Sequence, residues 1–149
     1  LRYVNWSMSH DLQTLRDDFA ILDDWEERYR HVIELGKALP EMDPALKTPA
    51  TKVSGCASQV WIHSRVVERN GIKHLAMVGD SDALIVKGLI AVAFMIFAPL
   101  PLQAVPGVDA TAVFAELGLK DHLTPQRSNG LASMVARIKS DAVHALQAT

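Results

Sequence analysis

One cysteine, Cys56, stands directly after Gly55, where a proline-punctuated stretch meets the first run of strand-forming residues. A thiolate is a nucleophile, and a glycine beside it permits the tight bend that would present it on a loop, so the pair suits a reactive cysteine. The plainer reading of a lone free cysteine is a small buried hydrophobe, which the loop position weakens only modestly. With a single thiol, an internal disulfide cannot form, a paired-cysteine metal site cannot be built, and a cluster would lack its usual thiolates. A reducing, cytoplasmic setting is the natural expectation. A cysteine hydrolase would need an imidazole within hydrogen-bond reach. His63 is the nearest histidine in sequence, but neither an orienting carboxylate nor an oxyanion hole accompanies it, so it reads as exposed or sheet-facing.

The elements that must position Cys56 follow from spacing. The 149 residues suffice for one domain, read as 8–149, with residues 1–7 an extension before a start at Met8 and no signal pattern ahead of it. Leu12, Leu15, Phe19 and Leu22 recur at helical spacing. A second helix runs through Trp25, Tyr29, Val32, Ile33 and Leu39, with Asp24 and Glu27 spaced as cap and reciprocal partner. Pro40, Pro44 and Pro49 mark an extended surface connection toward Cys56. Residues 59–69, the Asn70-Gly71 pair and the run through Leu75, Met77 and Val78 predict a hairpin, and a third strand near Lys52 and Val53 would help stabilise it.

Ser81 is placed to cap the next helix and Asp82 to favour its positive end. Residues 83–98 are apolar nearly all round apart from Lys87, which predicts a central helix. Asp109 heads a short helix carrying Val113, Phe114 and Leu117, which Gly118 ends. Thr124-Pro125 opens a last helix whose stripe is Leu131, Met134, Val135, Ile138 and Ala142. Helices, a small antiparallel sheet, then helices make an α+β fold. The net charge of −2 and the scattering of Lys37, Arg65, Arg69, Lys87, Arg127 and Arg137 leave no basic stripe for nucleic acid. The most apolar segment, residues 89–98, stops at Pro99 and Pro101, well short of the roughly 20 residues that span a bilayer.

Four segments in order carry a family resemblance: Trp25-Glu26-Glu27-Arg28-Tyr29; Gly55-Cys56-Ala57-Ser58-Gln59-Val60-Trp61; Gly79-Asp80-Ser81-Asp82-Ala83 with Ile85-Val86-Lys87-Gly88-Leu89-Ile90-Ala91; and residues 122–131, His122-Leu123-Thr124-Pro125-Gln126-Arg127-Ser128-Asn129-Gly130-Leu131. Together, spanning roughly residues 12–142, they resemble the SufE family. The resemblance implies a fold shared with IscU-type iron–sulfur scaffolds, no bound metal or cofactor, and a cysteine desulfurase of the SufS or CsdA type, itself dependent on pyridoxal phosphate, as partner. It makes Cys56 the acceptor of persulfide sulfur, which is relayed to iron–sulfur cluster assembly through a downstream scaffold. The chain is then an activator and co-substrate of the desulfurase.

Gly55, Ser58, Gln59, Asp82, Arg127 and Asn129 become the candidates for binding the partner or supporting the cysteine loop. Asp82 also has an adequate explanation in the helix dipole. Arg127 could pair with a partner carboxylate, fix the loop, or stand solvated. The Asn129-Gly130 pair, unfavourable inside a helix, predicts close packing against the cysteine loop. One departure is Ala57, where the family often carries glutamine. An ordinary thiol is only a few per cent ionised near neutrality, and burial lowers that further, so the partner is expected to assist ionisation after the loop swings into its active site. Two other readings stand beside the relay: a CsdE-like branch feeding tRNA modification, and an adaptor that stimulates the desulfurase without carrying sulfur.

Overall fold

The computed structural model describes residues 11–148, so the expectations for residues 1–7 and Met8 fall outside the described residues. Helix α1 (Leu12–Ile21) begins at Asp11, whose carboxylate accepts from the Thr14 amide, and it buries Leu15 and Phe19. Helix α2 (Trp25–Ala38) is capped by Asp24 as its sequence implies. The bond runs to the Glu26 amide at 3.1 Å, and no bond returns from the Glu27 carboxylate, so a simple cap replaces the expected reciprocal box.

The connection toward Cys56 is less extended and less superficial than its prolines suggest. Pro44–Leu46 forms a 3-10 turn under an Asp43 cap, and Met42 is buried. The Thr51 hydroxyl donates to the Leu46 carbonyl at 2.6 Å and accepts from the Thr48 amide at 3.0 Å. Local hydroxyl-to-backbone bonds of this kind compete with extension and fold the segment onto itself.

Strands β1 (Val60–Arg69) and β2 (Ile72–Ser81) pair antiparallel, from Val60 opposite Ser81 to Arg69 opposite Ile72. Asn70 at φ 54° and Gly71 at φ 78° supply the two positive angles of the turn, as expected for a primed hairpin. The expected third strand shrinks to one bridge, Lys52 with Trp61, flanked by Val53 N–H to Val60 O at 2.8 Å and Ile62 N–H to Thr51 O at 2.9 Å. It cannot lengthen, because the Arg137 guanidinium takes the Ala50 and Lys52 carbonyls and the chain turns away at Gly55.

Helix α3 (Leu84–Phe97) is the centre of the core, with every residue from Gly88 to Phe97 buried. Its start differs from expectation. Ala83 occupies the cap position without a side-chain bond, while Ser81 closes β2 and its hydroxyl accepts from the Ala83 amide at 3.2 Å. The strand runs further than the sequence pattern suggests, so the serine serves the strand-to-helix turn instead. A 3-10 segment (Leu102–Gly107) leads to the short helices α4 (Ala110–Glu116), capped by Asp109, and α5 (Leu119–His122), separated by Gly118 at φ 76°. Helix α6 (Pro125–Gln147) starts under a Thr124 cap and buries Leu131, Met134, Ile138 and Ala142. These elements share one apolar cluster running from Leu15 to Ala142. Among the described residues, no helix is long and apolar enough to cross a membrane.

Candidate functional site

Cys56 sits in a loop whose neck is closed by the Val53–Val60 backbone bond. Gly55 takes φ 87°, and a Cβ there would stand 2.6 Å from Ser133 Oγ on α6. Glycine is therefore favoured by the backbone angle, and a Cβ there would only require the Ser133 hydroxyl to turn aside. The Cys56 thiol is half-buried, and its Sγ donates to the Gly130 carbonyl at 3.6 Å. It faces an open pocket of about 230 Å³ lined by Ala57, Ser58, Val86, Leu89, Arg127 and Met134, among others.

Desolvation in this pocket pushes the thiol pKa above its ordinary value. Among the described residues, no histidine, aspartate or glutamate lines the pocket, so none of the described side chains there can act as a general base toward Cys56. His63 lies on β1 opposite Val78 and is not among the lining residues. Among the described residues, Arg127 is the one charged residue in the lining. Its Nη1 donates to Tyr29 Oη at 3.3 Å, tying the start of α6 to α2.

The downstream end of the loop is fastened by Asp82, whose Oδ1 accepts from the Gln59 amide at 3.0 Å. Asp82 thus has a partner in the cysteine loop, beyond its place near a helix start. Ser58 lines the pocket, and Gln59 contributes its amide. Asn129 is exposed and outside the pocket, whereas its neighbour Gly130 meets the thiol. The predicted packing of the Asn129-Gly130 pair against the cysteine loop is therefore made by the glycine: a Cβ on Gly130 would lie 3.7 Å from Cys56 Sγ.

Two supports escaped sequence reasoning. Arg137 donates from Nη2 to Ala50 O at 2.6 Å and from Nε to Asp141 Oδ1 at 2.9 Å, while Asp141 Oδ2 accepts from Ser64 Oγ at 2.8 Å; the loop's upstream approach, β1 and α6 are thereby joined. On the other side, Lys47 reaches Asp80 at 2.6 Å and lies 5.1 Å from the Trp61 ring centroid, and Lys87 approaches the same carboxylate at 3.6 Å. Burial alone would raise the Asp80 carboxyl; the Lys47 bond, the Ser81 amide and the Lys87 charge outweigh it and hold the pKa below the ordinary carboxylate value. Helical spacing carried part of this signal, since residues 127, 130 and 134, and then 133, 137 and 141, recur at intervals of three and four along α6.

Helices around an antiparallel hairpin, with a single half-buried thiol on the loop that leads into it, define an α+β protein. Residues 13–142 match the model of the SufE family, described as an Fe-S metabolism associated domain, and the chain belongs to that family. An uncharacterized SufE-like protein of Rhizobium etli is 49% identical over 133 residues, covering 88% of each chain. Another, from Rhizobium meliloti, is 48% identical over 131 residues, covering 88% of this chain and 94% of its own. The solution structure of a hypothetical protein from Thermus thermophilus superposes with a TM-score of 0.70 at 21% identity, over 91% of this chain and 96% of that one, and shares the fold. Family membership implies a sulfur-transfer role, with a cysteine desulfurase, in iron–sulfur metabolism.

Proposed function

We propose that Cys56 accepts sulfane sulfur from a pyridoxal-phosphate cysteine desulfurase of the SufS or CsdA type and relays it toward iron–sulfur cluster assembly. The Cys56 thiolate attacks the outer sulfur of the desulfurase's cysteine persulfide. The S–S bond breaks, the desulfurase cysteine leaves as a thiolate, and Cys56 carries the persulfide, so no outside electrons are needed. The observation that carries this reading is the placement of the thiol: half-buried on a loop, against Gly130, in a pocket to which none of the described residues brings a general base. Such a thiol is protected and largely protonated in the free protein, and it depends on the partner for ionisation. Gly55 and the Asp82–Gln59 bond hold the loop at rest, Ser58 lines the pocket beside the thiol, and Arg127 is available to a carboxylate on the partner once it leaves Tyr29.

The test is intact mass after mixing the protein with a SufS-type desulfurase and cysteine, without reductant. A gain of about one sulfur atom, lost in Cys56→Ser, is the expected result. Stimulation of the desulfurase that survives Cys56→Ser, with no gain of mass in the unmodified protein, would replace the relay with a non-covalent adaptor.

A further inference from the structure

On a different face of α6, the helices α4, α5 and α6 enclose a second pocket of about 360 Å³. Its floor is apolar, formed by Phe114, Leu123, Leu131 and Val135. Lys120 and Lys139 also line it, and neither has an ion-pair or hydrogen-bond partner among the described residues. Lys37, Lys47 and Lys87 are each paired with a carboxylate, whereas Lys120 and Lys139 share their unpaired ammonium groups with Lys52 and Lys73 and differ from those two in lining an apolar pocket. Among the described residues, no aspartate or glutamate lines the pocket, and the remaining polar side chains are the hydroxyls of Thr111 and Ser128.

Two ammonium groups beside an apolar hollow repel cations, and the apolar floor offers nothing to a polyanion that needs charge along its whole length. What fits both features is one negative group on an apolar body. The volume lies within the range of small-molecule sites, about 300–1,000 Å³, and is too small for an extended segment of another protein. We propose that this pocket binds a small amphipathic organic anion, a carboxylate on a short aliphatic or aromatic body. The head lies between Lys120 and Lys139 and the body packs against Phe114, Leu131 and Val135. The site is separate from the sulfur chemistry at Cys56 and stands or falls independently of it.

Octanoate titrated into the full chain, followed by amide chemical shifts in nitrogen-15 spectra, tests the site, with octan-1-ol as the uncharged control. Saturable shifts confined to α4, α5 and the facing side of α6 are expected, and octanoate should bind more tightly than octanol. Lys120→Gln combined with Lys139→Gln should weaken octanoate about tenfold, the loss expected for a charge-assisted contact. Ala136→Trp, which fills the pocket from an exposed helical position, should abolish the shifts while thermal melting shows an intact fold. Shifts that fail to saturate, that spread beyond the pocket, that keep the same affinity in the double lysine variant, that persist in Ala136→Trp, or that octanol reproduces with equal affinity would overturn the proposal.

Discussion

Where α2 crosses α3 the two backbones nearly touch: a Cβ on Gly36 would lie 2.6 Å from the Gly88 nitrogen, and one on Gly88 would collide with the Val32 carbonyl. The Cys56 loop and its upstream approach are fastened by a short set of polar bonds, Asp82 to the Gln59 amide, Arg137 to the Ala50 carbonyl and the thiol to the Gly130 carbonyl, beside the apolar contact of Val53 and Cys56 with the core. The first region gains its stability from close packing in a dry core, which tolerates no added volume. The second is held by contacts that each contribute about 1 kcal/mol net and can be exchanged for water, as a loop that must be released to a partner requires.

If that division is right, core and loop variants should separate stability from thiol reactivity. Gly88→Ala should have the largest effect, lowering stability by about 3 kcal/mol, because the obstructing neighbour is backbone and cannot swing aside. Urea unfolding measures it, and the alkylation rate of Cys56 in the molecules that remain folded should be unchanged. Arg137→Gln removes the fastening of residue 50 and leaves Asp141 with only Ser64. A loss of about 2 kcal/mol is expected, together with faster alkylation of Cys56 by iodoacetamide.

Asp82→Ala should cost only about 1 kcal/mol, yet speed alkylation several-fold, since it frees the downstream end of the loop. Equal stability losses in Gly88→Ala and Asp82→Ala, or unaltered thiol reactivity in Asp82→Ala, would dissolve the distinction. The smallest effect is the pH dependence. Burial raises the Cys56 pKa in the folded chain, so between the unfolded and folded pKa values the folded state binds more protons. Stability therefore falls slightly as pH rises through the ordinary thiol pKa and levels off above the folded value. The pH midpoint of Cys56 alkylation should accordingly lie higher in the folded chain than in urea.

Local chemistry made several of these parts legible before any coordinates. The Asn70-Gly71 turn announces its hairpin because few residue pairs accept two positive φ angles, and α3 announces its burial because almost no position along it is polar. Thr124-Pro125 and Asp109 mark helix starts for the same local reason. Ser81 misleads because a serine three residues before a helix serves equally well at the end of a strand. The proline-rich connection misleads because Thr48 and Thr51 fold it back through bonds whose geometry composition does not reveal.

Residue identity and short-range spacing suffice to establish that Cys56 is the one thiol, that glycine precedes it, and that a hairpin and a wholly apolar helix lie downstream. What those residues meet was settled by packing. Cys56 faces Gly130, 74 residues away, Gln59 is held by Asp82, 23 residues on, and Arg137 grips a carbonyl 87 residues before it. Contacts at such separations arise when packing brings whole elements together, and no local periodicity specifies which side chains will then share a pocket.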